Sequence, residues 1–95
     1  MEVYNMIKYK KVPETMIVDC SALGAGPFSV LIVPISDKYN ENMRNFYLIH
    51  SQYGLVHEMF GLVPDSDEHA AELAYYNAME HIPHFLKECF DAEKE

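Results

Sequence analysis

The last third of the chain has the spacing of one long amphipathic helix, and this feature limits the possible folds more than any other. Apolar residues recur there at three- and four-residue steps, which places them on one side of an α-helix. The apolar positions are Ala71, Tyr75, Ala78, Met79, Ile82, Phe85, Leu86 and Cys89. A single helix can cover only one face of whatever the rest of the chain forms.

Local signals predict where this helix begins and where it is disturbed. Pro64 precedes Asp65-Ser66-Asp67-Glu68, and Asp65 with Glu68 predicts a capping box at the first turn. Pro83 lies inside the apolar pattern. A proline there removes one backbone hydrogen bond and crowds the carbonyl of Met79, so we expect a kink or a break near His81.

The residues before the helix predict short β-strands separated by turns. Pro13-Glu14 and the glycine-bearing segment 21–27 are turn or loop sequences, and Gly54 suits a tight hairpin loop. The strand from residue 28 is the most apolar and is expected to be central. The predicted strands are Val3–Val12, Thr15–Cys20, Phe28–Ile35, Phe46–His50 and Leu55–Phe60, with a polar connection over 36–45.

These elements predict an α+β fold of two layers within a single domain, residues 1–95. A mostly antiparallel sheet of four to five short strands packs against the C-terminal helix. If His50 lies opposite Leu55, one face of the last hairpin holds Phe46, Leu48, His50, Leu55, His57 and Met59. The other face then holds Tyr47, Ile49, Val56, Glu58 and Phe60. Neither face is cleanly polar, so we expect the helix on one side and a partner or second copy over part of the other.

Size and composition favour a small cytoplasmic protein. The chain has 95 residues, of which 49% are hydrophobic, enough for one core. The longest apolar run, Phe28–Ile35, is too short to span a bilayer. The first residues lack the basic and apolar segments of a secretory signal. Cys20 and Cys89 are too few for a disulfide framework.

The negative charge is confined to the second half of the chain. Residues 1–44 carry five bases and five acids, whereas residues 45–95 carry two bases and ten acids, which accounts for the whole net charge of −8. This surplus disfavours direct binding to nucleic-acid phosphates or anionic membranes. It favours a basic protein surface as the partner. The simpler interpretation is that the acids only keep the chain soluble.

The helix itself carries many of these acids at regular spacing. Glu68, Glu72, Tyr76, Glu80, His84 and Glu88 follow one another at four-residue steps near one line on the solvent side. We therefore predict a partner-binding surface made of Asp67, Glu68, Glu72, Tyr76, Glu80 and Glu88. The predicted function is that of a non-enzymatic regulator or inhibitor, of phage or mobile-element type. It would occupy a basic, possibly nucleic-acid-binding, surface of a partner protein. The alternative is a plain solvated face.

Other candidate chemistry is weaker. His50, His57 and Tyr75 suggest an alternative function, a small-ligand or metal-binding domain with a pocket between sheet and helix. His81 and His84 have a helical ligand spacing, but no HExxH or CxxC motif accompanies them. Cys20 lacks a base that would make it a nucleophile. We therefore predict no catalytic residues, no cofactor and no enzyme activity, and we keep a homodimer formed through a sheet edge as a further possibility.

Overall fold

A computed structural model of the chain describes residues 7–23, 27–35, 43–63 and 66–94, with side chains to residue 89. It contains a five-stranded sheet and one helix, α1, which confirms the predicted α+β fold. Residues 3–6 of the first predicted strand, glycines 24 and 26, and the predicted cap Asp65 lie outside the described residues. The elements are β1 Lys8–Val12, β2 Thr15–Asp19, β3 Phe28–Pro34, β4 Met43–His50, β5 Gly54–Leu62 and α1 Asp67–Lys94, with a 3-10 turn at Ser21–Leu23.

The strands lie in sequence order, and every neighbouring pair is antiparallel. The apolar strand β3 is central, as predicted. Strand β4 begins at Met43, in the segment predicted to be a polar connection. Met43 and Asn45 pair there with Leu62 and Phe60 of β5. Cross-strand hydrogen bonding along the edge strand therefore extends β4 into a segment whose side chains gave no strand signal.

Helix α1 covers one face of the sheet, and the core lies between the two layers. Small side chains on the inner side of the helix, including Ala71, Ala74 and Ala78, are at most 1% exposed. They allow the helix to lie close to the larger side chains of the sheet. The sheet contributes Met16, Val18, Cys20, Phe28, Val30, Ile32, Phe46 and Leu48 to this core.

The start of α1 differs from the prediction by one residue. The Ser66 hydroxyl accepts hydrogen bonds from the backbone N–H groups of Glu68 and His69, at 3.2 and 3.4 Å. Ser66 is therefore the N-cap, which corrects the predicted Asp65 capping box. Serine and aspartate are about equally good caps, so residue type alone does not decide between two adjacent candidates.

Of the kink or break predicted near His81, the break is wrong. The helix continues through this residue for all of its 28 residues. Pro83 itself is exposed, while Ile82 and Phe85 on either side of it pack against the sheet. The burial of these neighbours offsets the loss of a backbone hydrogen bond, which by itself would end a helix on the surface.

A β-bulge changes which side chains of β5 face the helix. His50 pairs with Gly54, not Leu55, and Ile49 pairs with Leu55 while Leu48 pairs with His57, so Val56 is the extra residue. Leu55 consequently lies on the face away from the helix, and Val56 packs against the core, which reverses both predictions. Gly54 makes the tight turn possible with a φ of 81°.

We call the sheet surface turned away from α1 the open face. It is formed by the residues that alternate with the core residues along each strand. Its members are Lys8, Lys10, Val12, Thr15, Ile17, Asp19, Ser29, Leu31, Val33, Met43, Asn45, Tyr47, Ile49, Leu55, Glu58, Phe60 and Leu62.

Candidate functional site

The solvent side of α1 exposes apolar side chains among its acids. Leu73 is 42% exposed and Tyr76 is 47% exposed, whereas the neighbouring Tyr75 is only 8% exposed. One tyrosine of the pair therefore packs on the sheet and the other points outward, as the sequence predicted. Glu72 and Glu80 lie one helical turn before and after Tyr76. We call Leu73, Tyr76 and these two glutamates the outer helix surface.

The six predicted partner-binding residues do not lie on one line. Four residues exceed one helical turn, so the row rotates by about 40° at each step. Asp67 contacts Lys11 of β1 at one edge of the sheet, while Glu88 lines a cleft beside His57 of β5 at the other edge. The structure therefore brings Glu72, Tyr76 and Glu80 together and places Asp67 and Glu88 on opposite flanks.

Most of the helix acids up to residue 89, where side chains are described, have no neutralising cation. The Lys11 Nζ atom lies 3.1 Å from an Asp67 carboxylate oxygen, and both side chains are about half exposed, so this pair contributes little to stability. Lys8 and Lys10 lie on the open face and do not cross the helix. Within the described part of the chain, no basic side chain comes within salt-bridge distance of Glu68, Glu72, Glu80 or Glu88.

A small cleft between β5 and the second half of α1 brings three histidines together. The cleft has a volume of about 160 Å³ and is lined by Val56, His57, His81, His84, Phe85 and Glu88. The rings of His57 and His81 stack with centroids 3.7 Å apart. Burial and the neighbouring His81 lower the pKa of His57, against the opposing effect of Glu80. The sequence placed His57 on the same sheet face as Leu48, and the structure pairs these two residues. It did not show where α1 brings His81 and His84 against that face.

His50 and Tyr75, which were also proposed for a ligand pocket, are packed into the core of the fold. His50 is buried, and its Nδ1 accepts hydrogen bonds from the backbone N–H groups of Gln52 and Tyr53, at 3.0 and 3.3 Å. Its ring also packs edge-on against Phe28. Tyr75 is buried and does not line the histidine cleft, and desolvation raises its pKa. Among the described residues, no group of three or more His, Cys, Asp or Glu could hold a metal ion.

The environment of Cys20 disfavours a nucleophilic role. The side chain is fully buried, and its Sγ donates to the carbonyl of Val18 at 3.9 Å. Burial, with a smaller effect of Asp19, raises the pKa of the thiol to about 12, so the reactive thiolate is scarce at neutral pH. The Asp19 carboxylate is engaged with the Ser21 backbone N–H at 2.9 Å, which lowers its pKa.

Comparisons with protein-family models, curated proteins and solved structures found no match for this chain. No helix in the described ranges is both long and apolar enough to cross a membrane.

Proposed function

We propose that this chain is a protein-binding module that docks the outer helix surface on a basic surface of a partner protein. The observation that carries the proposal is the exposed ring of Tyr76, 47% accessible, between two glutamates that no described cation neutralises. Binding surfaces in proteins commonly combine a tyrosine anchor with a charged rim. Here Leu73 and Tyr76 would supply the apolar contact, while Glu72 and Glu80 would select a basic partner.

Because the row of acids winds around the helix, the proposed contact is smaller than a surface that mimics a whole nucleic-acid strand. A flat or shallow groove can meet only part of a row that turns about 40° per step. The central residues Glu72, Tyr76 and Glu80 are therefore the proposed contact. Inhibition of a nucleic-acid-handling enzyme is the most specific form of the proposal, since such enzymes carry basic grooves of the required charge.

The alternative function, a small-ligand or metal-binding domain, has less support. The histidine cleft of about 160 Å³ is below the roughly 300–1,000 Å³ of common ligand pockets. His50 and Tyr75 do not line it. A rise in the melting temperature on addition of Zn²⁺ or Ni²⁺ that is lost in His81→Gln would favour this alternative.

The proposal is tested by capture of partners from a lysate of the source cell with three forms of the full chain. We expect the wild-type protein to retain a basic partner at low salt and to release it at high salt. Tyr76→Ala and the double variant Glu72→Lys, Glu80→Lys are expected to lose that partner. The control Tyr53→Ala removes a ring that is 59% exposed in the β4–β5 turn, and it is expected to retain the partner.

The same experiment distinguishes a partner that binds through a nucleic-acid groove from one that binds through another basic surface. Addition of duplex DNA should displace the partner if the bound surface is a nucleic-acid groove, and should leave it bound if the basic surface has another role. Equal recovery of the partner with wild type, Tyr76→Ala and the double charge reversal would contradict docking through the outer helix surface.

A further inference from the structure

The open face is a second apolar surface, and α1 does not cover it. At its centre, Leu31 of β3 lies between Ile17 of β2 and Tyr47 of β4. Neighbouring side chains half-bury these three residues. On the edge strand β5, Leu55 and Phe60 are 57% and 66% exposed. Contiguous exposed apolar surface of this kind marks interaction sites on folded proteins.

The charges of the open face balance and lie toward its margins. Lys8 and Lys10 belong to β1, Asp19 pairs with Lys8 from the adjacent strand, and Glu58 belongs to β5 at the opposite edge. The described part of this face is therefore neutral on a chain whose net charge is −8. Two copies that approach through their helices bring like charges together, whereas two open faces avoid that repulsion.

The strand register makes the face complementary to itself. One row across the sheet reads Lys10, Ile17, Leu31, Tyr47, Glu58. A two-fold axis along β3, between two sheets packed face to face, lays β1 of one copy over β5 of the other. Lys10 of each copy then faces Glu58 of the other, and the two Leu31 side chains meet at the axis. A two-fold axis across the strands would instead place lysine over lysine and glutamate over glutamate.

Shape supports the same arrangement. A hollow of about 360 Å³ lies on the β1–β2 side of the sheet, with Ile17, Asp19 and Ser29 in its lining. The exposed side chains of Leu55 and Phe60 project from the β5 side. The two-fold axis along β3 places the projecting side of each copy over the hollow side of the other.

We propose that two copies of this chain associate through their open faces about a two-fold axis along β3. Five strands about 4.8 Å apart and about seven residues long give a flat area of about 600 Å² per copy. The pair buries about 1,200 Å², the lower end of the range for specific interfaces. Pairing through the β1 edge is disfavoured, since this short strand carries Lys8, Lys10 and Lys11. The proposal does not depend on the proposed function, and it leaves both outer helix surfaces free to bind.

The proposal is tested by sedimentation of the full chain at concentrations from about 1 to about 100 µM, a range suited to an interface of this size. We expect the mass to rise from monomer to dimer across this range. Leu31→Asp, which places two carboxylates at the axis, is expected to give a monomer throughout. Circular dichroism of Leu31→Asp shows whether it keeps the fold, and a variant that unfolds is replaced by Leu31→Thr, with the same expectation of weaker association.

Charge reversals test the position of the axis. Lys10→Glu and Glu58→Lys should each raise the dissociation constant about tenfold, because each replaces two attractive contacts by repulsive ones. The double variant should return to within about threefold of wild type. The controls Glu14→Lys, in the β1–β2 turn, and Tyr76→Ala, on the helix, should leave the mass unchanged.

Three results would overturn the proposal. A monomer mass at all concentrations would show that the dimer does not form. If the Leu31→Asp variant is folded and still forms a dimer, the interface lies elsewhere on the molecule. If the single charge reversals weaken the dimer and the double variant does not restore it, the two-fold axis lies in another direction. None of these results bears on the outer helix surface, so failure here is distinguishable from failure of the proposed function.

Discussion

The two faces of the sheet come from the same strands but are covered differently. On the helix side, Val18, Val30 and Ile32 are at most 3% exposed, whereas Leu55 and Phe60 on the open face are more than half exposed. Apolar side chains occupy both faces, so hydrophobicity alone does not select the face that the helix covers. The charged Lys11 at the margin of the covered face is paired by Asp67 of the helix, whereas Lys8, Lys10, Asp19 and Glu58 of the open face would be desolvated if a helix covered them.

The largest effect that separates the two faces is expected from two phenylalanines. Phe28 is 1% exposed and packs edge-on against His50 and Phe85. Phe28→Ala should lower the free energy of unfolding by about 3–5 kcal/mol. Phe60→Ala, on the open face, should change it by no more than about 0.5 kcal/mol. Urea denaturation at low protein concentration, where monomer prevails, measures both values. Similar losses for the two variants would mean that the monomer buries both faces.

A smaller effect is expected from the turn that sets which side chains reach each face. Gly54 has a φ of 81°, whereas Gly61, in the same strand, shows no such φ and would accept a Cβ in open space. Gly54→Ala should cost about 1–2 kcal/mol because of its left-handed backbone, and Gly61→Ala should cost nothing. Denaturation of the two variants gives the comparison. Equal free energies of unfolding for Gly54→Ala and Gly61→Ala would show that the hairpin turn does not need the left-handed conformation at Gly54.

The smallest effect concerns the histidine cleft at the edge of the helix-covered face. Burial and His81 lower the pKa of His57 in the folded chain. The unfolded chain therefore binds more protons as the pH falls through the ordinary pKa, 6.5, and the folded state loses stability.

We expect the melting temperature to fall as the pH is lowered from about 7.5 to about 5.5, a range that spans the ordinary histidine pKa. His57→Gln should flatten this dependence, while the exposed His69→Gln should retain it. The groups that face His57 in the cleft are His81, His84 and Glu88, with Glu80 nearby. If the melting temperature depends on pH as steeply in His57→Gln as in wild type, another group is responsible for the dependence.

Elements with a local period were predictable from the sequence. The apolar steps from Ala71 to Cys89 predicted one long helix, and the β-branched runs predicted strands at the right places. The faces of residues 57–60 of β5 were predicted correctly, but those of Leu55 and Val56 were not, because one extra residue at Val56 exchanges the faces of these two side chains. That extra residue is defined only by pairing with β4.

The candidate sites show the same division. The sequence identified Tyr76 as the outward member of a tyrosine pair, since helical spacing places Tyr75 with the apolar stripe. It did not predict that His57 stacks on His81 or that Lys11 pairs with Asp67. These contacts join residues far apart in the chain, and their spacing carries no signal of where the helix crosses the sheet.

By itself the sequence determined that strands precede one helix, that one sheet face stays without a helix, and that the acidic surplus follows residue 44. These properties depend on local periodicity and on counts of charged groups. Only the tertiary structure decided the bulge in β5, the stacking of His57 on His81 and the position of Asp67 and Glu88 at opposite edges of the sheet. Each of these depends on how separate elements pack, and packing is a property of the whole molecule.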